Sequence, residues 1–182
     1  MVNQDCVIFG EVTNRNRLTL KRKPRLKEEK MQKKVEEIIA HINSLVQKKE
    51  DKNFILKDTV RLLKENFAYY TWVGIYLLET EDQLVLGPYL GKPSPHTRIK
   101  IDKGICGAAI REKQTILVPD VSQDSRYLGC SLETKSEIVV PIMKGEKIFG
   151  EIDIDSDSLD AFDQKDKEVL EKVADTLAEV FE

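Results

Sequence analysis

The stretch Glu151-Ile152-Asp153-Ile154-Asp155 alternates acid and isoleucine at every position. Only a β-strand turns that alternation into two separate faces, because successive side chains along a strand point to opposite sides of its sheet. Two uses of such a strand are open. In the ordinary one the isoleucines pack inward and the acids face water. In the other the acids line a cleft. Glu137 heads the preceding apolar run, Ile138-Val139-Val140-Pro141-Ile142. Carboxylates brought together at neighbouring strand ends repel unless they bind a cation, an ammonium group or shared protons.

Around this strand the periodicity changes along the chain. Val35, Ile38, Ile39, Ile42, Leu45 and Val46 recur at helical spacing within 26–49, and Ile55, Val60, Leu62 and Leu63 do so within 54–67. Residues 72–78 and 84–90 then read as two strands joined by the polar turn 79–83. A strand at 97–101 leads into Asp102-Lys103-Gly104-Ile105-Cys106-Gly107 and a short helix over 108–112. A short strand at 115–118 precedes a long polar loop, 119–136. Strands at 138–143 and 147–154 follow, joined at 144–146. An amphipathic helix over 164–181 carries Val169, Leu170, Val173, Leu177 and Val180. Helices gathered at both ends of a central, mainly antiparallel sheet predict an α+β domain. Its expected extent is 26–182, with an N-terminal arm at 1–25. The arm holds Cys6-Val7-Ile8-Phe9 and the basic residues Lys21, Arg22, Lys23 and Arg25. It reads as a solvated arm with a hairpin, or as a segment that touches an acidic partner.

Composition narrows the function classes. A length of 182 residues suits one domain with an appendage. A net charge of −3 supplies no basic field for nucleic acid or an anionic membrane. No apolar run approaches the ~20 residues of a membrane helix, and residues 1–10 are too short and mixed for a signal peptide. Three cysteines without a secretory signature point to a reducing, cytoplasmic setting, where free thiols are catalytic or inert.

Two cysteines sit in informative surroundings. Cys106 lies in Gly104-Ile105-Cys106-Gly107 at a strand-to-helix junction, where unpaired N–H groups and the helix dipole lower a thiol pKa. The alternative is a small buried cysteine beside a tight turn. Cys130, in Leu128-Gly129-Cys130-Ser131, lies on the polar loop, as a reactive or an incidental surface thiol. His41, beside the first apolar stripe, reads as a satisfied or surface histidine. Metal patterns fit poorly. Asp153-x-Asp155-x-Asp157 begins like an EF-hand loop, but Ser158 stands where the glycine is needed and Gln164 where the glutamate belongs. A DxD cation site of the sugar-transferase kind lacks an accompanying βαβ pattern. Zinc spacing of the CxxC or HxxxH type is absent, so no metal is expected.

Taken in order, the stretch from Trp72 to about Phe181 resembles the free methionine-(R)-sulfoxide reductases, which are single GAF domains. The matching segments are Trp72-Val73-Gly74-Ile75-Tyr76-Leu77, Leu84-Val85-Leu86-Gly87-Pro88-Tyr89 and Gly104-Ile105-Cys106-Gly107-Ala108-Ala109. They continue with Cys130, Ser136-Glu137-Ile138-Val139-Val140-Pro141 and Asp153-Ile154-Asp155-Ser156. The resemblance implies a GAF-like fold and Cys130 as the nucleophile. It implies Glu137, Asp153 and Asp155 as acids lining the substrate pocket, with Trp72 and Tyr76 as aromatic walls. Many members carry a further cysteine where this chain has His96, so Cys106 is implied as the thiol that resolves Cys130. The implied chemistry is reduction of free methionine sulfoxide without a cofactor, recycled by a thioredoxin-type donor. Cys6 falls outside the resemblance. The stripe of the first helix can extend beyond its own domain, a basis for a homodimer. The alternatives are a non-catalytic GAF sensor of a small molecule and a thiol redox switch.

Overall fold

The computed structural model describes residues 32–129 and 131–181. The chain divides into two units, Met1–Lys33 and Lys34–Glu182. The arm at 1–25, with Cys6 and its basic run, and the first residues of the expected leading helix lie outside the described residues. The fold is therefore that of the second unit.

Helix α1 runs over 32–47 and buries Val35, Ile38, Ile42 and Leu45. Those positions recur at helical spacing and form one apolar face. Helix α2 (Lys52–Asn66) starts where the Asp51 side chain accepts the Phe54 N–H at 3.1 Å. It buries Ile55, Leu56, Val60 and Leu63. His41 is satisfied, as its surroundings suggest: its Nε2 lies 2.7 Å from Asp58 on α2.

Among the described residues one six-stranded sheet follows: β1 (Trp72–Thr80), β2 (Gln83–Leu90), β3 (Arg98–Lys100), β4 (Ile116–Val118), β5 (Ser136–Lys144) and β6 (Lys147–Ser156). The strand order is β3-β2-β1-β6-β5-β4, and every pairing is antiparallel. This is the α+β arrangement that the periodicity predicts. The first and last strands pair at the centre, so β6 is flanked by β1 and β5 along its length.

Helix α3 (Gly104–Glu112) packs against β5 and β6, and helix α4 (Gln164–Ala178) against β5 and β6 as well. Strand alternation decides which residues meet which helix. Val73, Ile75, Ile138, Val140, Ile142, Ile152 and Ile154 share one face and are all essentially without solvent exposure. Trp72, Tyr76 and Val139 share the other, in one cluster with Ile105, Cys106 and Ala109 of α3. Helix α3 starts earlier than the sequence suggests, at Gly104 instead of 108. Gly104 takes a left-handed φ of 72° that glycine alone adopts cheaply, and Gly107 N–H then bonds Lys103 O at 3.1 Å. No helix among the described residues is long and apolar enough to cross a membrane.

Candidate functional site

The register across the sheet builds the site. Asp155 stands opposite Trp72 on β1 and Glu137 on β5. Asp153 stands opposite Gly74 and Val139, and Glu151 opposite Tyr76 and Pro141. Cross-strand partners share a face, so all four carboxyls project toward the side covered by α3. The ordinary reading of the alternation, acids in water, is overturned. Glu137, Glu151, Asp153 and Asp155 are at most 5% exposed. The reason is that both faces of the central strands are covered, the isoleucine face by the apolar core and the acid face by α3.

A carboxylate removed from water favours its protonated form, and neighbouring carboxylates add to the effect. Burial first, then the charges of Asp153 and Asp155, pushes Glu137 well above the ordinary range. Burial raises Glu151 to about 8. Burial and the Glu151 charge raise Asp153 to about 8. Asp155 is pushed well up by burial and by Asp153. The cluster is a store of protons at neutral pH.

Cys106 belongs to the same cluster. Its Sγ donates to Asp153 Oδ2 at 3.7 Å. Of the two readings of Cys106, the structure supports the small buried cysteine and not the thiol with a lowered pKa. Cys106 sits inside the first turn of α3 and is 5% exposed. Burial, followed by the charges of Glu151, Asp153 and Glu137, pushes the thiol well above its usual value. Desolvation beside three acids outweighs a dipole worth at most ~2 kcal/mol.

The aromatic residues take distinct places. The Trp72 ring lies over Gly74, where an added Cβ would come within 2.2 Å of it. Trp72 Nε1 donates to Lys92 O at 3.0 Å, which fixes the ring plane. Tyr76 is fully buried 6.5 Å from Trp72, and its hydroxyl donates to His96 O at 2.7 Å. His96 thus meets the site through its backbone. A cavity of about 50 Å³ opens beside these groups, several times what one water needs. Trp72, Lys92, Ser131, Glu133, Thr134 and Asp155 line it. Glu137, Asp153 and Tyr76 lie farther along the same face.

The structure therefore brings together Trp72, Tyr76, Cys106, Glu137, Asp153 and Asp155. Cys130 lies outside the described residues. Glu151 completes the cluster and is missing from the residues singled out in the sequence as pocket acids. The signal for it was the alternation itself, since period two puts 151 on the face of 153 and 155.

Comparison with known proteins agrees with this architecture. Residues 52–181 match the GAF domain family. The chain is 38% identical over 138 residues to GAF domain-containing protein A of Dictyostelium discoideum, covering 76% of this chain and 86% of that protein. It is 36% identical over 125 residues to the free methionine-R-sulfoxide reductase of Escherichia coli, covering 69% and 74%. The crystal structure of free methionine-R-sulfoxide reductase from Neisseria meningitidis, in complex with its substrate, superposes with a TM-score of 0.75 at 36% identity. That superposition covers 81% of this chain and 87% of the other.

Proposed function

This chain belongs to the GAF domain family and is related to free methionine-R-sulfoxide reductases, and on that premise we propose that it reduces free L-methionine (R)-sulfoxide to methionine. The catalytic domain spans 26–182 and works in the cytoplasm with a thioredoxin-type reductant. The observation that carries the reading is the buried carboxyl cluster, which burial and mutual repulsion push toward its protonated form, beside a cavity lined by Asp155, Trp72 and Ser131, the residue after Cys130.

Sulfoxide reduction needs a thiolate to attack sulfur and an acid to protonate the oxygen that leaves. The Cys130 thiolate attacks, a protonated carboxyl of the cluster supplies the proton, and the S–O bond breaks. Methionine departs and Cys130 carries the oxygen as a sulfenic acid. Cys106 then attacks that sulfur and water leaves, forming a Cys106–Cys130 disulfide. Because burial holds the Cys106 thiol protonated, this step needs a base. Asp153, already its hydrogen-bond partner, is placed to take the proton once it has itself ionised. A dithiol donor restores both thiols by exchange. The net change is two electrons and two protons consumed per sulfoxide, with one water released. No metal or organic cofactor enters the sequence of steps. Ionised acids of the cluster pair with the substrate ammonium group and backbone N–H groups take its carboxylate. Engaging both charged ends favours the free amino acid over a residue within a protein.

The test is NADPH oxidation coupled through thioredoxin and its reductase, with the R and S sulfoxides of free methionine supplied separately. Turnover of R and not of S is expected. No turnover of R with intact thiols would overturn the proposal, and nucleotide binding in its place would favour a GAF sensor. Cys130→Ser abolishes activity; substantial residual turnover would move the nucleophile elsewhere.

A further inference from the structure

Beyond sulfoxide reduction, we infer that Cys106, Glu137 and Asp153 form a binding site for a divalent metal ion of the zinc class. The three residues come from α3, β5 and β6, so no sequence spacing could announce them. Their ligand atoms, one thiol sulfur and two carboxylate oxygens, lie within 4.8 Å of one another, and all three side chains are buried. In a tetrahedral zinc site with Zn–S near 2.3 Å and Zn–O near 2.0 Å, sulfur and oxygen stand about 3.5 Å apart. Cys106 Sγ and Asp153 Oδ2 are 3.7 Å apart. The pair is already spaced as two corners of such a site.

A second observation points independently to a cation. Asp153 Oδ1 and both carboxyl oxygens of Glu151 are buried without a hydrogen-bond partner among the described residues. Leaving a buried acceptor unpaired costs about 1–3 kcal/mol each, more where it is charged. Once its acids ionise, what the cluster lacks is positive charge, and further acids cannot supply it. A divalent ion supplies the charge, and water takes the fourth position.

The donor set selects the class of ion. Magnesium and calcium take six or more oxygens, several of them usually from water. A thiolate with two carboxylates in a closed site suits Zn²⁺ and its substitutes Co²⁺ and Cd²⁺. Binding displaces the Cys106 proton to solvent, since the ligand is the thiolate. The bound ion then ties up the thiol and two of the acids. If the proposed reductase chemistry is right, the ion is a reversible inhibitor that competes with the sulfoxide; the site itself does not depend on that reading.

Cobalt reports the site without any turnover. In a Cys6→Ser/Cys130→Ser protein Cys106 is the sole thiol, because the chain has three cysteines. Titration with Co²⁺ is expected to give one equivalent bound, with a thiolate-to-cobalt charge-transfer band and tetrahedral d–d absorption that Zn²⁺ bleaches. Adding Cys106→Ala removes the band. Adding Glu137→Gln or Asp153→Asn, which keep shape and thiol, weakens binding by about tenfold or more, as loss of a ligand must at least match loss of an outer-shell partner. Circular dichroism checks that each variant is folded, and either carboxamide variant suffices if the other is not. Absence of the sulfur band in the Cys106-only protein, or a band indifferent to both carboxamides, overturns the site. Absence of R-sulfoxide turnover in the metal-free wild-type protein would sink the reductase, and a cobalt site found in that same protein would leave the metal site standing.

Discussion

Asp155 is the cluster acid that reaches the cavity, and Glu137 stands beside it across the β5–β6 register. An acid there can hold a proton at neutral pH only because burial and its neighbours keep it from ionising. Asn keeps the shape of Asp and cannot deliver that proton. Asp155→Asn is therefore expected to lower kcat/KM by about 10²–10⁴, the usual worth of positioned acid catalysis. The wild-type protein is expected to lose kcat/KM as alkaline pH strips the donor, and the variant should lack that fall. A variant that loses rate and keeps the alkaline limb would assign the donor elsewhere. Cys106→Ser makes a different kind of change. The first sulfoxide is still reduced, so rapid quenching should find about one methionine per chain, while thioredoxin-supported steady-state turnover is lost. Undiminished steady-state turnover would show that Cys106 is not the resolving thiol. At this scale the sequence was legible in part. It marked Cys106 by its glycines, but the acids that raise its thiol arrive from β5 and β6 through tertiary packing.

Elements were more legible than their surroundings. The alternation of β6 identified the strand, and its register beside β1 and β5 followed from pairing at the sheet centre. Which face met water was not legible, because local alternation is the same whether the acid side is covered by solvent or by α3. The start of α3 was missed for a similar reason. Gly104 and Gly107 look like loop residues, yet an added Cβ at Gly107 would come within 2.4 Å of Ile101 O. The glycine is what lets the helix approach the chain before it. Helix α4 was well announced, and its start carries more than a local cap. Asp163 and Asp166 form a capping box, and Asp166 also accepts Tyr69 OH at 2.5 Å and Tyr70 OH at 3.1 Å. One buried carboxylate thus joins α4 to the segment that leads into β1. Asp166→Ala removes the reciprocal half of the capping box, the bond from Asp163 N–H at 2.9 Å, and takes a shared acceptor from the Tyr69 and Tyr70 hydroxyls. Losses of about 1 kcal/mol for the reciprocal capping bond and 1–3 kcal/mol for the phenols' shared acceptor predict destabilisation of roughly 2–4 kcal/mol. Urea denaturation checks this, and a change under 1 kcal/mol would mean that water replaces Asp166.

For the molecule as a whole, four carboxyls buried against α3 make folding work against ionisation. The unfolded chain ionises its glutamates near the ordinary value of 4.5, whereas folded Glu151 and Asp153 ionise near 8. Between those limits the folded state holds more protons than the unfolded state, so stability falls as pH rises. The sign is opposite to that of a salt-bridged carboxylate: the stabilising contribution is complete below the unfolded pKa and is lost by the folded one. Glu137 and Asp155 are shifted in the same direction. The protein is therefore expected to be more stable near pH 5 than near pH 8. Glu151 offers the cleanest probe, because it is fully buried and both its oxygens lack a hydrogen-bond partner among the described residues. Glu151→Gln replaces an acid that must either keep its proton or bury a charge with a neutral amide of the same shape. It should leave stability near pH 5 almost unchanged, raise it by a few kcal/mol near pH 8, and flatten the slope between them. Thermal melts of the two proteins across that range read the difference directly. Parallel curves for wild type and variant would mean that Glu151 ionises as freely in the fold as out of it, and that the cluster holds no proton at that position.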